Sequence, residues 1–174
     1  MKLRTIPALL LVALLAGCSG QNADDQAAVT PTESIEVTTS STPAFQAKEV
    51  SEIKVPSGER TVKDTGLNVE FTFRGTGYGS TGGAIIYMGV KNLNDVPLPK
   101  DAIDDPTLKI DDYDGSKTDV DPISGDDNVT LDVPLGAGAT TRLQYAFDTS
   151  NGSLWSAEFK IGNVVYSGNL NYLG

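Results

Sequence analysis

The sequence predicts an all-β fold, an antiparallel β-sandwich, on three observations. Past about residue 50, apolar residues recur with period two, the spacing that turns one face of a strand inward. Gly, Asn and Asp turn pairs separate those runs. No stretch of the same region carries apolar residues at convincing helical spacing. Of the 174 residues, roughly 125 fall in this patterned part, enough chain to bury a core without disulfides.

The chain divides into three parts. Residues 1–17 carry Lys2 and Arg4 ahead of an apolar run from Ile6 to Leu15. That run is too short to span a bilayer core of ~30 Å as a helix, and it has the length of a signal-peptide core. Ala16 and Gly17 are small enough to lie extended in a peptidase cleft, and the single cysteine, Cys18, follows them. This Leu15-Ala16-Gly17-Cys18 stretch resembles the lipobox of bacterial lipoproteins. The resemblance implies a diacylglycerol on the Cys18 thiol, cleavage before it, and a lipid anchor on the extracytoplasmic face of the cell membrane. An uncleaved membrane helix is disfavoured by the length of the run and by Pro7. Two acyl chains anchor a protein stably where one does not.

Residues 18–49 are small, polar and rich in Thr, Ser and Pro, so they are expected to be a disordered linker, whether a plain spacer or one carrying O-linked sugar. A flexible chain of about 30 residues has an r.m.s. span of about 30 Å, which holds a domain off the lipid surface.

Residues 50–174 carry the strands. Leu67, Val69, Phe71 and Phe73 alternate with Asn68, Glu70, Thr72 and Arg74, so the first set points inward. Ala84 to Val90 is apolar on both faces, as a central strand is. Val129, Leu131 and Val133 predict a half-buried strand, Leu143, Tyr145 and Phe147 another, and Trp155, Ala157, Phe159 and Ile161 a third. Trp155 is therefore expected in the core. Gly162-Asn163 suits a two-residue hairpin with positive φ at the glycine. Asp114-Gly115 and Leu135-Gly-Ala-Gly mark further turns. Seven or eight short strands of this kind read as an immunoglobulin-like sandwich.

Further along, Tyr87-Met-Gly-Val-Lys-Asn-Leu-Asn-Asp-Val-Pro-Leu, Leu108-Lys-Ile-Asp-Asp-Tyr-Asp-Gly and Leu135-Gly-Ala-Gly-Ala-Thr-Thr follow one another in a fixed order. Over about residues 60–170 this resembles the immunoglobulin-like domain of unknown function found in Gram-positive and actinobacterial lipoproteins. The resemblance implies a sandwich fold and carries over no catalytic residue.

Composition narrows the chemistry. The formal net charge is −10, and removing residues 1–17 would take away two cations, so nucleic acid and anionic lipid headgroups repel the domain. The chain has no histidine, which removes the commonest general base and zinc ligand. With Cys18 acylated no thiol nucleophile remains. These absences favour a non-enzymatic module that binds an envelope protein or wall component.

Gly77-Tyr-Gly-Ser-Thr-Gly82 matches the dinucleotide fingerprint, but the segment after it reads as a strand and supplies no helix N-terminus for a pyrophosphate. The aspartates between Asp101 and Asp127 offer oxygen ligands of the kind calcium takes. Asp112, Asp114, Asp119 and Asp121 are the candidate ligands, giving a second reading as a calcium- or small-ligand-binding receptor domain. The pattern departs from an EF-hand, since Ile123 stands where the bidentate glutamate belongs. Asp-x-Asp-Gly is also ordinary turn chemistry. Tyr78, Asp111, Asp112, Tyr113 and Asp114 are the candidate partner-binding residues, because a loop tyrosine offers rigid contact area at low entropic cost.

Overall fold

The computed structural model describes residues 43–80, 82–112, 114–125 and 127–173. The expected signal segment, Cys18, the expected linker as far as residue 42, and Tyr113 lie outside the described residues. The fold is a sandwich of two sheets, with nine strands among the described residues. Sheet one contains β1 (Ile53–Lys54), β9 (Val164–Gly168), β8 (Ala157–Ile161), β5 (Thr107–Asp111) and β6 (Lys117–Val120), in that spatial order. Sheet two contains β2 (Thr61–Asp64), β3 (Val69–Tyr78), β4 (Ala84–Asn92) and β7 (Thr140–Phe147). The chain crosses between sheets from β1 to β2, from β4 to β5, from β6 to β7 and from β7 to β8, the Greek-key habit of immunoglobulin-like sandwiches. The pairing is antiparallel except that β1 runs parallel to β9, which corrects a purely antiparallel expectation.

The period-two runs pack as their patterns predict. Val69, Phe71 and Phe73 are buried on β3, Leu143, Tyr145 and Phe147 on β7, and Ala157, Phe159 and Ile161 on β8. β4 lies between β3 and β7 and is buried on both faces, with Ile85 as well as Ile86 shut away from solvent. Across the core, the Phe159 ring meets Phe147 edge-on at 6.1 Å and Tyr145 at 6.3 Å, and Phe73 meets Tyr166 at 5.5 Å. The Tyr166 hydroxyl donates between Arg60 O and Phe71 O (3.2 and 3.3 Å), so its polar end is not left unpaired. Gly162 takes φ of 55° at the first position of the β8–β9 turn, the conformation the hairpin expectation requires.

Two expected elements come out differently. Val129, Leu131 and Val133 do not form a strand. Val129 makes a single antiparallel bridge to Gln144, and Val129 and Val133 are exposed while only Leu131 packs on the core. Pro134 brings no N–H to a ladder, and Leu135 is drawn instead onto Leu98 by two backbone bonds of 2.8 and 2.9 Å. Trp155 is not in the core either; it is 58% exposed. The chain from Asn151 to Trp155 winds into a 3-10 turn whose first N–H groups are met by Ser150, which accepts from Ser153 N through its side chain. That turn breaks the period of two, and Leu154 takes the inward position.

The packed chain also starts earlier than residue 50. Phe45 lies against the core, and Lys48 N donates to Gly66 O at 2.9 Å. Gly66 permits this approach because a Cβ there would sit 2.7 Å from Lys48 O.

Phe159→Ala removes the ring that both Tyr145 and Phe147 pack against, and is expected to cost about 3–5 kcal/mol of unfolding free energy. Urea denaturation measures this; a loss below about 1 kcal/mol contradicts the packing described. Asp64→Ala, which strips the acceptor from several buried N–H groups, is expected to cost on the order of 3 kcal/mol in the same assay.

Candidate loop-end binding surface

Strand direction gathers three connections and the end of β9 at one end of the sandwich. β3 ends there at Tyr78 and β4 begins at Ala84. β5 ends at Asp111 and turns into β6 at Lys117, and β7 ends at Phe147 ahead of the 3-10 turn and β8. β9 finishes at the same end, since Gly168 pairs with Ala157, and a second short 3-10 turn, Leu170–Tyr172, follows it. The two 3-10 turns are joined by Asn171, whose amide donates to Asn151 O at 2.8 Å while its Oδ1 accepts from Thr76 Oγ1 at 2.7 Å.

Three large aromatic side chains stand out from this end. Tyr78 is 78% exposed and Tyr172 84%, and Trp155 is exposed with them. Tyr78 was expected at such a surface; Trp155 and Tyr172 were not. The run Asp148-Thr-Ser-Asn-Gly-Ser before Leu154 is rich in turn formers and is the signal that a strand would start only after Trp155. Tyr172 sits near the C-terminus with no periodic neighbours to mark it.

Trp155 forms one wall of a notch of about 130 Å³ shared with Ile110, Asp111, Asp112 and Ser153. An indole face beside two carboxylates is favourable ground for a cationic group, which gains from the ring quadrupole and from the charges together. The hairpin expectation thus brings Asp111 and Asp112 beside a residue that the alternation pattern had assigned elsewhere.

The aspartates also have internal work. Asp112 Oδ2 accepts from Thr118 Oγ1 at 2.5 Å and Ser116 Oγ at 3.3 Å, and Asp114 Oδ1 accepts from Ser116 N and Oγ at 2.9 and 2.7 Å. Asp111 Oδ2 accepts from Ser156 Oγ at 2.5 Å, tying the hairpin to the start of β8. The Ser116 bonds hold the Asp114 carboxyl below its usual 3.8. What Asp114 contributes to the turn is therefore present above that value and lost as pH falls through the lowered one. Lys117 donates to Glu158 at 2.7 Å with Asp111 at 4.0 Å, and the Glu158 bond raises its pKa.

The four candidate calcium ligands do not converge. Asp112 and Asp114 face their own turn, Asp119 pairs with Lys109 across the β5–β6 ladder at 3.3 Å, and Asp121 follows the far end of β6. Among the described residues no three His, Cys, Asp or Glu side chains come together as metal ligands would. The glycine-rich connection leads directly into β4, so its backbone meets a strand where a dinucleotide site has a helix. Its geometry is held by Asp127, which accepts from Ser80 N at 2.8 Å and from Ser80 Oγ.

Trp155 is the one tryptophan of the chain, so its fluorescence reports this surface alone. The emission is expected to resemble that of a solvent-exposed indole and to be quenched readily by acrylamide, with Trp155→Ala shifting stability by no more than about 0.5 kcal/mol. A blue-shifted, quencher-resistant emission contradicts the exposed position. No protein family, curated protein or solved structure matches this chain.

Proposed function

We propose that this chain is a non-enzymatic, lipid-anchored cell-envelope protein. Its loop end binds a positively charged partner, either another envelope protein or a wall component. The observation that supports the reading is the exposed Trp155 beside Asp111 and Asp112, at the end of the sandwich remote from the point where the chain joins it. The chain arrives at the opposite end, where Lys48 bonds Gly66 and β1 enters alongside Val164. A tethered domain also meets a fixed neighbour at high effective concentration, which makes a weak contact useful. The acidic surroundings favour a basic partner and make the contact sensitive to salt.

The test is photo-crosslinking in intact cells with the reactive group at position 155, compared with the same group at Asp95, an exposed position just past the end of β4 at the opposite end of the sandwich. An adduct with an envelope protein or wall fragment at position 155 alone, lost on raising the salt, is expected. Equal adducts at both positions, or none at 155, overturn the proposal. Cys18→Ser is expected to release the protein from the membrane fraction, and mass spectrometry finding a free Cys18 thiol on the mature wild-type chain overturns the anchoring.

A further inference from the structure

A separate cleft opens on the side of the sandwich, where β7 faces the segment from Pro122 to Leu131. It consists of two adjoining cavities of about 310 and 200 Å³ that share Asp105, Thr130 and Tyr145. The larger is near the lower limit of small-molecule sites, room for a ligand of monosaccharide size.

Tyr145 makes this more than an acidic hollow. Its residue is 93% buried, being 7% exposed, and its ring is fixed against Phe159. The other core tyrosine, Tyr166, gives its hydroxyl two backbone acceptors. The Tyr145 hydroxyl makes no hydrogen bond among the described residues, and Tyr145 lines both cavities. The ring is held in the core while the hydroxyl opens to the cleft, so whatever occupies the cleft supplies its hydrogen-bond partner. Burial, with the Asp105 charge adding to it, raises the Tyr145 pKa, so the group stays a neutral donor and acceptor.

The rest of the lining states the complement. Asp101, Asp104 and Asp105 supply three carboxylates against one ammonium, Lys100, and Thr130 adds a second hydroxyl. Ile103 and Leu131, both partly buried, supply apolar wall for a C–H face. Anions are disfavoured by this balance of charge, and a purely apolar ligand would leave the phenol unpaired.

We propose that the cleft binds a small hydroxylated primary amine, its ammonium against the Asp104 and Asp105 carboxylates and a hydroxyl on the Tyr145 phenol. The site shares no lining residue with the Trp155 notch, so it stands or falls independently of the proposed function.

The experiment is a titration of the full chain with glucosamine, followed by amide chemical shifts, with glucose as the uncharged comparison. Saturable shifts at Thr130 and Tyr145 with glucosamine, and much weaker ones with glucose, are expected. Tyr145→Phe removes only an oxygen without a protein partner, so its melting temperature is expected to match wild type while glucosamine affinity falls about tenfold. Asp105→Asn, at an exposed position, is expected to weaken glucosamine by a similar factor and to flatten the salt dependence. Absence of saturable shifts, equal binding of glucose, or undiminished binding in Tyr145→Phe each overturns the proposal.

Discussion

Asp64 is fully buried, and its carboxylate joins the two sheets at the end where the chain arrives. Oδ1 accepts from Gly66 N and Leu67 N at 2.8 and 3.1 Å, closing the turn from β2 to β3 in sheet two. Oδ2 accepts from Asn163 N at 2.9 Å, and the Asn163 side-chain amide reaches both oxygens, in the β8–β9 hairpin of sheet one. A buried charge is tolerable only with such a full set of donors, and the set requires its neighbours to come close. Glycine at 66 and 162 is what allows it: a Cβ at Gly66 would meet the Asn163 amide at 2.6 Å, and one at Gly162 would meet Asp64 Oδ2 at 2.8 Å. The hydrophobic faces decide that the sheets pack; Asp64 helps to decide their register.

A second polar anchor organises the neighbouring loops. Asn92 is buried at the end of β4, and its amide reaches the carbonyls of Val96, Leu135 and Gly136 while its Oδ1 accepts from Asn94 N. The asparagines at the end of β4, Asn92 and Asn94, thus close the loops around them. Their amides meet loop carbonyls, Val96 O and Gly136 O among them, that lie outside the strand ladders.

The core strands were legible because burial on one face imposes period two directly on the residue string, as at Phe71, Phe73, Phe159 and Ile161. The turns were legible because positive φ selects glycine, as at Gly115 and Gly162. Trp155 was misassigned because it keeps the phase of Ala157 while lying in a 3-10 turn, a distinction that depends on where Ser150 caps the chain. Val129 and Val133 kept the period of a strand without having a ladder to join. The Trp155 notch was half visible, since its aspartates were singled out and its aromatic wall was placed in the core. The Tyr145 cleft left no trace in the sequence. A tyrosine inside a regular strand reads as packing, and only the arrangement of the loops around it exposes a hydroxyl without a partner.

The parallel pairing of β1 with β9 has a mechanical side. Lys48 N to Gly66 O, Ile53 N to Asn163 O and Val55 N to Val165 O fasten the incoming chain over a short length. A pull between that chain and the loop end acts along β1 and loads the β1–β9 bonds in shear, sharing the force instead of opening them one by one. The strand of two residues is therefore a clamp, and tension passing through the domain would test that clamp before it reached the aromatic core behind it.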